Sequence, residues 1–99
     1  RIYSNFVKPA SYGASKAAVI NLTKYYATLY PKIRVNCVSL GGVYNGQNEE
    51  FVRNYCQKVP LGRMARKDEY NGLIRFLLSD GVSYITGSNI IADGGYTAL

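Results

Sequence analysis

The stretch Ser11-Tyr12-Gly13-Ala14-Ser15-Lys16-Ala17-Ala18 decides how the rest of this sequence is interpreted. A helix has 3.6 residues per turn, so Tyr12 and Lys16 share one face and the phenol can meet the lysine cation. A phenol has an ordinary pKa of about 10, and an adjacent ammonium group favours its ionised form. One charge about 4 Å away, at an effective dielectric constant of about 20, contributes about 4 kcal/mol, or roughly three pKa units. The pair is therefore a candidate for general acid/base catalysis.

Composition narrows the classes of protein to which this sequence can belong. Its 99 residues form at most one domain with a modest core. The longest apolar runs are shorter than the roughly 18 residues of a membrane span, and the first residues are not typical of a signal peptide. We therefore expect a soluble, cytoplasmic protein with no membrane partner. The chain has no histidine, which excludes a Ser/His/Asp or Cys/His triad and an HExxH zinc site within it.

Two further features of the composition concern partners and redox state. The formal net charge of +6 invites a nucleic-acid interpretation. The basic residues are nevertheless scattered, which favours non-specific attraction to polyanions over a groove-reading element, and a basic nucleic-acid binder stays an alternative. Cys37 and Cys56 are too far apart for a CxxC pair, so we expect reduced thiols. The turn residues Asp93-Gly94-Gly95 offer a single carboxylate, and we assign no metal.

Hydrophobic spacing predicts alternating helices and strands. The helix from Tyr12 to about Tyr30 has apolar residues on two faces, needs cover on both, and is ended by Pro31. The remaining predicted segments are a loop over the first 10 residues, a strand at 33–40, helices at 49–58 and about 67–78, and a last strand at 89–92. The buried side of the second of these helices is predicted to comprise Tyr70, Leu73, Ile74, Leu77 and Leu78. This order predicts an α/β fold with a parallel strand pair and helices on both faces of the sheet.

Taken together, these segments resemble the C-terminal part of the short-chain dehydrogenase/reductase family, from about Ser11 to Gly95. Besides the Tyr-x-Ala-Ser-Lys block, the resemblance rests on Arg34-Val35-Asn36-Cys37-Val38-Ser39, Gly41-Gly42-Val43, Pro60-Leu61-Gly62-Arg63, Phe76-Leu77-Leu78-Ser79-Asp80, and Ile85-Thr86-Gly87 with Asp93-Gly94-Gly95. The tail also resembles oxidoreductases of bacterial surface-sugar and flagellin-modification clusters. The resemblance implies that residues 1–99 are the C-terminal portion of one doubly wound, parallel-sheet, Rossmann-like domain whose N-terminal dinucleotide-binding half is absent.

The resemblance also implies a reaction and a set of site residues. The family transfers hydride between NAD or NADP and an alcohol or carbonyl substrate. The resemblance of the tail implies a sugar derivative as one candidate substrate. Tyr12 would exchange a proton with the substrate oxygen, and Lys16 would lower the pKa of Tyr12 and hydrogen-bond the nicotinamide ribose. Gly41 and Val43 would begin the cofactor loop, with backbone groups of Val43 at the nicotinamide carboxamide. Asn45 stands where the family has a threonine that touches the pyrophosphate, and an amide can also hydrogen-bond there.

The sequence departs from the family pattern in three places. Leu40 replaces the proline before the glycine, which removes a fixed φ and predicts a more mobile loop. The family's substrate-orienting serine has no counterpart about a dozen residues before Tyr12, and nothing resembles the glycine-rich turn that receives dinucleotide phosphates. We therefore expect the 99-residue chain alone to be inactive.

Several alternatives to a catalytic interpretation stay open. The chain could be a non-catalytic fragment or a module for homo-oligomerisation, since the family commonly packs this long helix against a symmetry mate. The Tyr12 and Lys16 spacing also occurs on ordinary amphipathic helices. Val43 and Asn45 could belong to an ordinary loop.

Overall fold

The computed structural model describes residues 2–3, 6–7 and 10–98, and the side chains of residues 13–98. Two compact units are present. The first comprises Arg1–Cys37 and Ile85–Asn89, and the second comprises Val38–Tyr84 and Ile90–Leu99.

The first unit begins with two short antiparallel strands. Strand β1 spans Ile2–Tyr3 and strand β2 spans Phe6–Val7, with Ile2 opposite Val7 and Tyr3 opposite Phe6. The prediction of a loop over the first 10 residues is therefore wrong for these four residues. Strands of two residues are too short to show the alternation by which strands are recognised in a sequence.

Helix α1 spans Ala10–Leu29, so it starts two residues before the predicted boundary at Tyr12 and ends close to the predicted end. Thr23 is buried, and its hydroxyl donates a hydrogen bond of 2.8 Å to the carbonyl of Val19. Six large apolar side chains of the helix and of the residue after it are 42% to 57% exposed, and they are Val19, Leu22, Tyr25, Tyr26, Leu29 and Tyr30. The cover that the sequence predicts for these faces is therefore not supplied by the residues that the structure describes.

The segment that follows α1 is shorter as a strand than the sequence predicts. Strand β3 spans Cys37–Leu40, whereas the prediction began at Ile33. Before Cys37 the Gly87 N–H still donates to the Val35 carbonyl at 2.7 Å, and side chains supply further bonds between the two segments. The Val35 N–H donates to the Thr86 hydroxyl at 3.1 Å, and the Asn36 amide donates to the Ile85 carbonyl at 3.0 Å and accepts from the Ser88 N–H at 3.0 Å.

Strands β3 and β4, the latter spanning Asn89–Ala92, form a two-stranded sheet. The Cys37 N–H donates to the Ser88 carbonyl and the Gly41 N–H donates to the Ala92 carbonyl, each at 3.0 Å. Because the partner number rises together with the donor number, the strands are parallel. The parallel pair and the bounds of β4 agree with the sequence prediction.

The second unit contains two helices. Helix α2 spans Glu49–Lys58, as predicted, and the Asn48 side chain caps it by accepting from the Phe51 N–H at 2.9 Å. Helix α3 spans Asn71–Leu78 and begins later than predicted, because residues 67–70 form a turn. The predicted buried side of α3 is wrong at Ile74 and Leu78, which are 41% and 76% exposed.

The buried apolar core is small, as the chain length predicts. Among the residues whose side chains the structure describes, it consists of Val59, Met64 and Val82, all in the second unit. Single 3-10 turns follow α3 at Asp80–Val82 and β4 at Tyr96–Ala98. In the part of the chain that the structure describes, no helix is both long enough and apolar enough to cross a membrane.

Candidate functional site

Tyr12 and Lys16 both lie on α1, one helical turn apart. Lys16 is exposed. The side chain of Tyr12 lies outside the described residues, so the contact between its phenol and the Lys16 ammonium stays a prediction. Gly41, Val43 and Asn45 lie in the second unit, in the loop that follows β3.

Two tyrosines hold the first peptide bond of this loop. The Tyr70 hydroxyl donates to the Gly41 carbonyl at 3.0 Å, and the Gly42 N–H donates to the Tyr55 hydroxyl at 2.6 Å. We call Tyr55 and Tyr70 the tyrosine pair. Burial raises the pKa of Tyr70, which keeps its hydroxyl protonated as a donor at neutral pH.

Glycine is required on both sides of that peptide bond. A Cβ atom on Gly41 would lie 2.8 Å from the Cα of Asp93, which is backbone and cannot rotate away. A Cβ atom on Gly42 would lie 2.8 Å from Cζ of Tyr55 and 3.0 Å from Cε of Met64. Real Cβ atoms do not approach other atoms this closely, so the two glycines let β4 and the Tyr55 ring pack directly against the loop backbone.

The backbone of the loop is hydrogen-bonded at almost every position. Ala65 pairs with Val43 in an isolated parallel β-bridge. The Ala65 N–H donates to the Gly42 carbonyl and the Ala65 carbonyl accepts from the Tyr44 N–H, both at 2.9 Å. The Gln47 side chain donates to the Val43 carbonyl at 3.0 Å and accepts from the Asn45 N–H at 2.7 Å. The Val43 N–H makes no hydrogen bond to any described residue.

An ion pair supports the turn that precedes α3. The Arg63 guanidinium donates two hydrogen bonds to the Glu69 carboxylate, at 2.5 and 2.8 Å, and the Arg66 N–H donates a third at 2.9 Å. The guanidinium and this backbone donor lower the pKa of Glu69 from 4.5 to about 2. The carboxylate therefore stays ionised at neutral pH and holds the 63–69 segment together.

A cavity of about 210 Å³ lies beside the loop. Its lining includes the tyrosine pair, Gly41 and Gly42, the Arg63 and Glu69 ion pair, and Asp93. Every lining residue belongs to the second unit.

The Asp93-Gly94-Gly95 segment is a turn, in agreement with the sequence prediction. The Asp93 carboxylate accepts from the Gly95 N–H at 3.0 Å, and from the Thr97 hydroxyl and N–H at 2.7 and 3.1 Å. These bonds, above all that from the Thr97 hydroxyl, lower the pKa of Asp93. Within the described residues there is no group of three or more His, Cys, Asp or Glu that could hold a metal ion.

Three features of the loop were missed by the sequence analysis: the tyrosine pair, the Gln47 bridge and the ion pair between Arg63 and Glu69. Tyr55 and Tyr70 were interpreted only as apolar positions of helices. Their hydroxyl partners lie 13 and 29 residues away in the sequence, so helical spacing carries no signal for them. The opposite charges of Arg63 and Glu69 on either side of a turn offered the one local signal.

Comparisons with known proteins identify a family and several relatives of this chain. A family model described as enoyl-(acyl carrier protein) reductase matches residues 3–97. A short-chain type dehydrogenase/reductase of Sinorhizobium fredii is 40% identical over 101 residues, covering 93% of this chain and 18% of the relative. The 7alpha-hydroxysteroid dehydrogenase of Bacteroides fragilis is 41% identical over 93 residues, covering 87% of this chain and 36% of the relative.

Solved structures of dehydrogenases share the same arrangement. A short chain dehydrogenase from Leptospira borgpetersenii with bound NAD+ superposes with a TM-score of 0.87 at 41% identity, covering 93% of this chain and 37% of that one. A 4-hydroxyisoleucine dehydrogenase complexed with NADH superposes with a TM-score of 0.79 at 36% identity, covering 95% of this chain and 43% of that one.

The chain spans less than half the length of these relatives, from 18% in the Sinorhizobium protein to 39% in a cis-4-hydroxycyclohexanecarboxylate dehydrogenase of Sinomonas cyclohexanicum. The family model nevertheless matches nearly all of this chain, and the neighbouring structures are dehydrogenases with Rossmann-like folds. The six sequence blocks described above correspond to the C-terminal part of that fold. The chain belongs to the short-chain dehydrogenase/reductase family.

Proposed function

We propose that this chain carries the catalytic tyrosine and lysine of an NAD(P)-dependent oxidoreductase that interconverts a small-molecule alcohol and its carbonyl compound. The observation that carries the proposal is the placement of Tyr12 and Lys16 one turn apart on α1 of a chain whose relatives are dehydrogenases. The NAD+ and NADH bound to two structural neighbours support a nicotinamide cofactor. Relatives named for steroid, cyclohexane and xylulose substrates support a secondary alcohol or ketone as the reacting group.

The loop after β3 offers a group that suits this cofactor. The N–H groups of Gly41, Gly42 and Tyr44 are all bonded within the second unit, whereas that of Val43 is free among the described residues. A free N–H in a bonded loop is a fixed donor, and the carboxamide oxygen of a nicotinamide is an acceptor. Val43 would hold the carboxamide, and Lys16 would hydrogen-bond the ribose. The cofactor, when bound, accepts or donates the hydride.

Tyr12 and Lys16 would handle the proton that accompanies the hydride. In the oxidation direction, the Tyr12 phenolate takes the proton of the substrate hydroxyl while the carbon loses its hydride. In the reduction direction, the Tyr12 phenol returns that proton to the carbonyl oxygen. The Lys16 cation stabilises the phenolate, which brings the pKa of Tyr12 toward neutrality.

The test uses the complete product of the gene that contains this sequence, assayed for NADH or NADPH turnover with secondary alcohols and ketones. Tyr12→Phe removes only the phenolic hydroxyl group, which carries the exchanged proton, so kcat should fall at least about 100-fold while the Kd of the cofactor stays nearly unchanged. Lys16→Met should weaken both turnover and cofactor binding. Tyr84→Phe, at a tyrosine that is 99% exposed, is the matched control and should change neither. Turnover of Tyr12→Phe within tenfold of the unmodified protein would contradict the proposed role.

The 99-residue chain by itself should neither turn over nor bind the cofactor. It has no glycine-rich turn to receive the dinucleotide phosphates, so most of the cofactor would have no partner. Titration of the purified chain with NADH, followed by nicotinamide fluorescence, checks this expectation. Binding at micromolar concentration would overturn it.

A second candidate function, a subunit interface without catalysis, is favoured by one observation. The apolar side chains of α1 are about half exposed, and such a face is typical of a surface that packs against a partner. The two functions are separated by the assay above. Self-association together with an absence of nicotinamide-dependent turnover in the complete gene product would favour the interface alone.

A further inference from the structure

The Asn45-Gly46 dipeptide lies at the end of the hydrogen-bonded part of the loop after β3. Both residues are exposed. The Asn45 N–H donates to the Gln47 side chain at 2.7 Å, whereas the Asn45 side chain and the Gly46 N–H make no hydrogen bond to any described residue. A side-chain amide and the backbone nitrogen that follows it are therefore adjacent, accessible to water and not held apart by hydrogen bonds.

Glycine at position 46 removes the steric obstacle to a reaction between these two groups. Its φ is 71°, and a Cβ atom built on it would meet no heavy atom within 4 Å. Glycine has no side chain and rotates more freely than other residues, so its nitrogen can approach the side-chain carbonyl of Asn45. A bond between them closes a five-membered ring, which consists of Cγ, Cβ, Cα and the carbonyl carbon of Asn45 and the nitrogen of Gly46.

We infer that Asn45 is a site of spontaneous deamidation, and that the resulting carboxylate lowers the affinity of the protein for a nicotinamide cofactor. In the first step the Gly46 nitrogen bonds to Cγ of Asn45, the bond from Cγ to Nδ2 breaks, and ammonia leaves with the proton of the Gly46 nitrogen. In the second step water opens the ring. Opening at Cγ gives aspartate, and opening at the backbone carbonyl carbon gives isoaspartate. Water is the only other reactant, and nothing is oxidised or reduced.

Both products change position 45 in a way that matters for the cofactor. An amide donates hydrogen bonds, whereas a carboxylate only accepts them and repels a phosphate group. Isoaspartate also routes the main chain through Cβ of residue 45, which lengthens the loop beside the Gln47 side chain that bonds to both Val43 and Asn45. The effect on the cofactor rests on the proposed function, in which residue 45 touches the pyrophosphate. The deamidation itself does not rest on it.

The chain contains a matched internal control in Asn71-Gly72. These two residues are also exposed, and a Cβ atom on Gly72 would likewise meet no heavy atom within 4 Å. They lie in helix α3, however, and the ring cannot close while the backbone keeps its helical angles. A local opening of α3 that costs about 1.4 kcal/mol slows the reaction about tenfold.

The experiment incubates the complete gene product and its Asn45→Gln variant in neutral buffer and compares fresh with aged samples. Peptide mass spectrometry follows the replacement of an NH2 group by an OH group and assigns it to a residue. This measurement needs no activity. Titration with NADH, followed by nicotinamide fluorescence, gives the Kd of each sample. Glutamine at position 45 keeps an amide but would have to close a six-membered ring, which forms more slowly.

We expect Asn45 to be deamidated at least about tenfold faster than Asn71. The Kd for NADH of the deamidated protein should be at least about tenfold higher than that of the fresh protein, because a negative charge faces the pyrophosphate. The Kd of Asn45→Gln should stay constant during the incubation, whatever its starting value.

Each contrary result rejects a defined part of the inference. Deamidation at Asn45 that is no faster than at Asn71 would overturn it. Deamidation that leaves the Kd within about twofold, or an equal rise in the Kd of Asn45→Gln, would reject the effect on cofactor binding. If fresh unmodified protein binds no nicotinamide cofactor, the proposed function and the effect on the cofactor both fail, and mass spectrometry still decides whether Asn45 is deamidated.

Discussion

Adding one methyl group at Gly42 should destabilise the protein strongly. The Cβ atom of Gly42→Ala would lie 2.8 Å from Cζ and 2.9 Å from the hydroxyl oxygen of Tyr55, and 3.0 Å from Cε of Met64. The methionine can move, but the Tyr55 ring stacks against Phe51 and Tyr96 and cannot swing aside without losing those contacts. Overpacking of this kind costs about 1 to 3 kcal/mol, and loss of the hydrogen bond to the Gly42 N–H adds about 1 kcal/mol.

The expected loss is therefore about 2 to 4 kcal/mol of the free energy of unfolding. Urea denaturation followed by far-ultraviolet circular dichroism measures it. Gly72→Ala is the matched control, because Gly72 lies in α3 with no heavy atom within 4 Å of its added Cβ. That variant should be more stable by up to about 1 kcal/mol, since alanine favours a helix.

A double variant shows whether the Tyr55 ring causes the loss. If it does, Gly42→Ala should cost less in a Tyr55→Leu background than in the unmodified protein, because the obstructing ring is gone. The reasoning is refuted if Gly42→Ala unfolds at the same urea concentration as the unmodified protein, or if its cost is the same in both backgrounds.

Three further predictions concern other parts of the chain. Glu69 has a folded-state pKa of about 2 against an ordinary 4.5, so its stabilising effect is complete above pH 4.5 and is lost as the pH falls toward 2. Glu69→Gln should therefore make the free energy of unfolding less dependent on pH between about 4.5 and 2. An acid denaturation curve that is unchanged by Glu69→Gln would contradict this prediction. Asn48→Ala removes the cap of α2 and should cost about 1 kcal/mol in thermal or urea denaturation, whereas Gln57→Ala on the exposed face of α2 should cost little. We expect the 99-residue chain to self-associate through exposed apolar side chains. Leu22→Lys, at a position 46% exposed on α1, should lower the average mass measured by light scattering toward that of the monomer. A stable monomer of the unmodified chain at high micromolar concentration would reject this expectation.

Elements with strong local signals were predictable from the sequence. The bounds of α2 agree with the prediction because the acidic first turn and the glycine-proline breakers lie next to the helix in the sequence. The β4 segment Asn89–Ala92 agrees because its β-branched residues are closed at once by a turn. Local chemistry defines these ends, so no knowledge of distant residues is needed.

Features that depend on distant partners were not predictable. The strand predicted from Ile33 begins at Cys37, because side chains of Asn36 and Thr86 make some of the bonds that a regular ladder would make, and Thr86 lies half the chain away. The tyrosine pair was missed for the same reason, since its hydroxyl groups bond to a backbone peptide 13 and 29 residues away in the sequence. Of the predicted site, Tyr12 and Lys16 both lie on α1, and their contact and their catalytic role stay predictions.

The hydrogen bonds between residues 34–37 and 85–88 have a consequence for how the chain folds. The Arg34 guanidinium donates to the Ile85 carbonyl across a sequence separation of 51 residues. Closing a flexible loop of that length costs about 3.5 kcal/mol in chain entropy before any bond forms, so these contacts arise late and slow the folding. Helix α1, by contrast, needs only local bonds. During synthesis the helix therefore leaves the ribosome long before residues 85–88, which complete its unit.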